Sequence, residues 1–202
     1  MLPSRIFLLS PAHCGGRRAA ILLNERAEFP LAQRLRSAPG VTLGEAFSFL
    51  SGLYFRGKLA YGDRFAHAPA GEPGVQVITT DRGLLPASAE VGIRDLREFG
   101  TVDIRPDHPS YRVPLARDLS RLRNLDAEFV LLGSVATGKY VDVLLEAMGE
   151  RLLFPVDFVG RGDMSRGALL LRAVRDGREL AYQPVAGAIR RGRRAAKVGA
   201  RT

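Results

Sequence analysis

The apolar residues of this chain come in short runs, and those runs alternate with stretches of helical spacing from one end to the other. No other feature constrains the fold as strongly. Short β-branched or leucine-rich runs read as strands over 5–10 (RIFLLS), 75–80 (VQVITT), 101–104, 128–134 (EFVLLGS), 151–158 and 179–184. Apolar residues at three- and four-residue intervals read as helices over 27–38, 43–61, 90–99, 114–125, 138–149 and 165–175. The second of these is expected to break or bend at Gly52 and Gly57, and 66–74 (AHAPAGEPG) is a Pro/Gly loop. Strands that alternate with helices, and that are apolar on both faces, belong to a parallel sheet covered on each side. The expected fold is therefore a single α/β domain over 1–186. It has three layers, α/β/α, around a mostly parallel central sheet.

Charge separates the rest of the chain from this body. The 202 residues carry 30 Lys and Arg against 21 Asp and Glu, a net +9. Six basic residues and no acid lie in 190–202, which leaves the first 189 residues at +3. Residues 187–202 have no apolar face and read as a flexible basic tail. Arg190, Arg191, Arg193, Arg194 and Lys197 are its candidate contacts to a nucleic-acid backbone. One cysteine excludes an intramolecular disulfide and a multi-cysteine zinc site, and three histidines have no spaced partners. No metal and no cofactor are expected. The apolar runs are too short to span a bilayer, and no secretory leader is recognisable, so the expected location is the cytoplasm, without a membrane partner.

In parallel sheets ligands bind at the carboxyl ends of strands, so the loops there hold the candidates. The first, SPAHCGGRRA, offers Ser10, His13, Cys14 and Arg17 beside a Gly pair, which suits an anion or serves as a solvated turn. In SFLSGLYFRGKLAYGDRF the large apolar residues read as core, while Arg56 and Lys58 stay open as nucleotide contacts. TTDRGLLP places Asp81 and Arg82 after a strand, where Asp81 serves either as a catalytic acid or as a cap. GSVATGKY carries the G-x-x-x-x-G-K part of a phosphate loop, but Tyr140 replaces the hydroxyl that binds magnesium. An anion-binding turn of Ser134, Thr137 and Lys139 is favoured over a nucleotide triphosphatase. DFVGRGDMSRGALLLR is the richest stretch, with Arg161, Asp163, Ser165 and Arg166 among three glycines. Gly167 inside a helix costs helicity and so points to close approach of a partner or ligand.

The order of these strings resembles an uncharacterised bacterial domain family: the Cys/Gly loop, LYFRGKLAY, VITTDRGLLP, GKYVDVLLEAMG and FVGRGDMSRGALLL. More distantly it resembles the uracil-DNA-glycosylase-like domain of archaeosine synthase and related 7-deazaguanine modification proteins. The resemblance spans about residues 5–172. It implies a base- or nucleotide-sized pocket at the strand ends and N-glycosidic chemistry. Uracil-DNA glycosylases carry an Asp after the first strand and a late His, and neither stands here, so the carboxylate would be Asp81 or Asp163. Arg161, Arg166 or Lys139 would hold the leaving base. A non-catalytic nucleotide or nucleic-acid binding module and a degenerate phosphate-loop binder remain as alternatives.

Overall fold

The computed structural model describes residues 3–189. Its centre is a six-stranded sheet in the order β4-β3-β1-β6-β7-β8. The four inner strands are β3 (Val75–Ile78), β1 (Arg5–Leu9), β6 (Glu128–Leu132) and β7 (Leu152–Pro155), all mutually parallel. The edge strands β4 (Leu84–Pro86) and β8 (Tyr182–Pro184) run antiparallel to them. Ile6, Phe7, Leu8 and Leu9 are fully buried, as are Phe129 through Leu132. Residues buried on both faces need cover on both faces, which is why these runs are continuously apolar rather than alternating.

The cover is helical. Between β1 and β3 the chain forms α1 (Arg17–Leu22), α2 (Pro30–Arg36), a short strand β2 (Val41–Thr42), α3 (Leu43–Ser51) and α4 (Leu53–Phe65). After β4 come β5 (Glu90–Val91), which pairs with β2, then α5 (Ile93–Phe99) and α6 (Pro109–Leu122). α7 (Gly138–Met148) joins β6 to β7, and α8 (Asp163–Asp176) joins β7 to β8. α4 packs on α8, β1 and β3, while α6 and α7 pack on each other and on β4 and β7, so helices lie on both faces. The expected α/β class and mostly parallel sheet are therefore observed. Among the described residues no helix is long and apolar enough to cross a membrane.

Several local expectations change, two of them near the loops of interest. Residues 101–104 form no strand but a turn stapled to the end of α5, with Thr101 donating through its hydroxyl to the Glu98 carbonyl at 2.7 Å. The helix expected over 43–61 is two helices. It breaks at Gly52, whose φ of +63° belongs to the left-handed region, and runs straight through Gly57.

The sheet fixes where a ligand can sit. From β1 the chain moves to β3 on one side, then returns to β6 on the other. Loops at the carboxyl ends of β1 and β6 therefore diverge and leave a crevice, the topological switch point of an open parallel sheet.

Candidate functional site

Lys58 stands on the wrong face of its helix for a charged residue. Tyr54, Lys58, Tyr61 and Phe65 follow at intervals of four, three and four along α4, so they share one face, and all are buried. Lys58 is only 1% exposed. Its Nζ donates to the Ser10 carbonyl at 2.5 Å and lies 2.9 Å from Ser10 Oγ. The rings of Tyr54 and Phe55 lie 4.6 and 4.7 Å from the amine. No carboxylate of the described residues is close enough to form an ion pair with it. Burial therefore dominates and lowers the amine to about 7, Asp163 opposing and Arg166 adding to the shift.

The α4–α8 contact completes this cluster. A β-carbon on Gly57 would come within 2.8 Å of the Gly167 carbonyl, and one on Gly167 within 2.9 Å of the Leu53 carbonyl and Tyr54 Cα. The close approach foreseen at Gly167 is thus made by the chain's own α4 backbone. It brings Arg166 beside Tyr54. Arg166 is buried, donates to the Phe158 carbonyl at 3.1 and 3.3 Å, and lies 3.5 Å from Asp163. The Tyr54 hydroxyl is buried without a hydrogen bond, and burial raises its pKa although Arg166 opposes this.

Ser10 follows directly on the end of β1, at the switch point. Gly133, just after β6, leaves room for it: a β-carbon there would sit 2.9 Å from Ser10 Cβ. On the far side of Ser10 is Tyr140, in the first turn of α7. Burial raises its hydroxyl and its interaction with Ser10 works the other way. Tyr140 also forms part of the wall of a pocket of about 330 Å³, with His13, Cys14, Thr80, Phe99 and Lys139. That volume falls within the range of small-molecule sites. A line of polar groups thus runs from the buried amine through Ser10 and Tyr140 to the pocket.

The pocket wall also carries a second perturbed group. The Cys14 thiol is pushed up to about 12, by burial first and by Asp81 second, so it is not a thiolate nucleophile at neutral pH. Asp81 follows Thr80, and its Oδ1 is buried without a hydrogen-bond partner. Burial raises its carboxyl, with Arg82 opposing. Such a carboxylate is short of donors and apt to take up a proton.

The structure sorts the sequence candidates accordingly. Ser10, Lys58, Asp163 and Arg166 come together behind Tyr140. His13, Cys14 and Lys139 line the pocket, with Asp81 adjoining it. Arg82 donates to Asp95 at 2.7 Å and to Glu98 at 2.5 Å, so its guanidinium is held in an ion-pair network within the chain. Arg161 donates to Ser165 Oγ at 3.2 Å at the start of α8. Ser134 accepts from the Ala136 N–H at 3.4 Å, and Thr137 stands at the N-cap of α7 without a side-chain cap. Of that turn only Lys139 reaches the pocket. Arg17 is exposed on α1, and Arg56 faces a different groove. The tail candidates Arg190, Arg191, Arg193, Arg194 and Lys197 lie outside the described residues.

The sequence reading takes Tyr140 only as the defect in a phosphate loop and does not single out Thr80 or Phe99. One signal was available for Lys58: a lysine on the apolar stripe of a helix whose neighbours at −4, +3 and +7 are Tyr54, Tyr61 and Phe65. The chain matches no protein-family model, no curated protein and no solved structure.

Proposed function

We propose that this chain acts on nucleosides or nucleotides, free or in a strand, and takes the base into the switch-point pocket. The observation that carries the reading is the buried Lys58 amine on Ser10, one residue away from the pocket wall at Tyr140. A group poised to exchange protons beside a ligand-sized crevice is characteristic of catalytic sites. Phe99 and Tyr140 offer aromatic surface for stacking, and Lys139 at the helix start offers a cation for a phosphate or an electron-rich base edge.

The chemistry this favours is hydrolysis of an N-glycosidic bond. Asp81 takes a proton from water, the hydroxide oxygen bonds to the anomeric carbon, and the carbon–nitrogen bond breaks. The base leaves with that electron pair and accepts a proton from Tyr140. Ser10 and Lys58 restore the Tyr140 proton. Asp163 is less suited to the carboxylate role, since its side chain is 70% exposed and it faces Arg166 rather than the pocket.

The test is base release from nucleosides, nucleotides and oligonucleotides carrying unmodified, deaminated and 7-deaza bases, followed by chromatography. Release that falls in Asp81→Asn and Tyr140→Phe supports the hydrolytic version. Binding without release from any substrate leaves the non-catalytic binding module. Absence of both sinks the proposal.

A further inference from the structure

A second cavity at the same end of the sheet has the composition of a phosphate site. It is an open groove of about 610 Å³ between α1, the α3–α4 junction and the start of α8. Arg18 and Arg56 line it, with the hydroxyl-bearing Ser48 and Ser51 and the apolar Phe49 and Met164.

Neither cation of the groove is neutralised by a carboxylate of the described residues. Eleven arginines of the described residues are ion-paired with Asp or Glu. Arg18 and Arg56 are paired with none. Arg18 is instead aimed by the backbone, donating to the Phe49 carbonyl at 3.4 Å. Its guanidinium crosses directly over Gly52, where any β-carbon would collide with Nη1. The left-handed φ of Gly52 and the passage of Arg18 thus both require glycine at this junction. Arg56 is exposed on the outer face of α4, two residues from the buried Lys58. The first amides of α4 have no side-chain cap, which adds a favourable dipole for an anion.

The apolar wall narrows the ligand. Met164 is 68% exposed, unusual for a large hydrophobe, and Phe49 is stacked on Phe29 with ring centroids 5.4 Å apart. Two unpaired guanidiniums beside exposed apolar surface suit a phosphodiester with a base lying next to it. We propose that this groove binds the backbone of a single-stranded nucleic acid, Arg18 and Arg56 contacting phosphate and Phe49 with Met164 receiving an adjacent base. The inference rests on the reading of the pocket as a base site and selects a strand over a free nucleoside as its substrate.

The experiment is fluorescence anisotropy of a labelled fifteen-residue oligo-dT with the full chain, across 50 to 200 mM salt. Arg56→Gln and the double variant Arg18→Gln/Arg56→Gln are compared with wild type, each shown to be folded by thermal melting. Each lost phosphate contact lowers the slope of log affinity against log salt by about 0.7, so the double variant loses about 1.4. Should Arg18→Gln disturb the α3–α4 junction, Arg56→Gln alone carries the test through a loss of about 0.7. Met164→Ser is expected to weaken binding with an unchanged slope, since it removes stacking and no charge. Slopes and affinities equal to wild type in both arginine variants overturn the proposal. Titration of free nucleosides against Tyr140→Ala separates the two readings. Strand binding that depends on Arg56, without any nucleoside binding, keeps the groove and removes the pocket. Nucleoside binding lost in Tyr140→Ala, with strand binding indifferent to Arg56, does the reverse.

Discussion

Two cations sit at the carboxyl edge of the same sheet and are treated in opposite ways. Arg82, in the turn between β3 and β4, is held by Asp95 and Glu98. Lys58, under the end of β1, is held only by the hydroxyl and carbonyl of Ser10. Burial would lower Arg82, but hydrogen bonds to the two carboxylates raise it. Burial does lower Lys58, because no carboxylate bonds to it. The first arrangement fixes a charge in place and closes a loop. The second leaves a group close to exchanging its proton at neutral pH. The difference teaches that chemistry in this molecule is to be sought where charge is left uncompensated.

Several substitutions break or sharpen that contrast. The largest effect is expected from Lys58→Met, which keeps the apolar stem and removes the amine. If Lys58 serves acid–base chemistry, activity falls by roughly 100-fold or more, while thermal melting at pH 7 shows the variant still folded, since removing the buried cation leaves no uncompensated charge behind. A variant as active as wild type reduces Lys58 to a packing residue.

The two regions also differ in their pH windows. The folded Lys58 lies near 7 against 10.5 for an ordinary lysine. The unfolded chain therefore binds more protons between those values, and stability rises with pH across that window, by at most about 1.4 kcal/mol per pH unit. Denaturant titrations from pH 7 to 10.5 should show that rise in wild type and its absence in Lys58→Met. At Asp95 burial acts to raise the carboxyl, but the Gly92 N–H and Arg82 outweigh it and hold it below its ordinary value. That contribution is present above the ordinary carboxylate range and is lost as pH falls through the lowered value. Acid titration should therefore show a smaller Asp95 component in Arg82→Gln, with the part held by the Gly92 N–H remaining, and the alkaline component should be untouched.

Smaller effects follow. Gly167→Val pushes α8 away from α4 and should destabilise by about 1–3 kcal/mol, as overpacking does, disturbing Lys58 and sparing the Arg82 turn. Arg82→Gln should lower the melting temperature by roughly 2–4 °C and leave nucleoside affinity unchanged. The smallest effect is chemical. Cys14, buried and raised to about 12, should react with a disulfide reagent at pH 8 only at the rate of unfolding or local opening. Rapid labelling of the folded chain would show the pocket wall to be open.

Much of the fold was legible because each strand advertises its own environment. The run Phe129–Leu132 can only be a strand covered on two sides, and it is. The edge strand β4 and the β2–β5 pair were not legible, because two or three residues carry no period, whereas β8 lies within the strand read over 179–184. The site was legible in pieces. Position at a strand end selected Ser10, Cys14 and Lys139, and density of polar residues selected Asp163 and Arg166. The partners of Arg82 were not legible, since Asp95 and Glu98 are thirteen and sixteen residues away. Nor was the place of Tyr140 in the pocket wall, on which the motif it interrupts is silent.

The sequence by itself determined an α/β chain with a buried parallel sheet, since hydrophobic periodicity is a local property that each segment carries alone. It left Lys58 open as a nucleotide contact. Only the tertiary structure decided what that lysine is. Its state depends on how many elements exclude water from it and on a partner forty-eight residues away in Ser10. Desolvation is a sum over α4, α8 and the end of β1, and no window of sequence contains that sum.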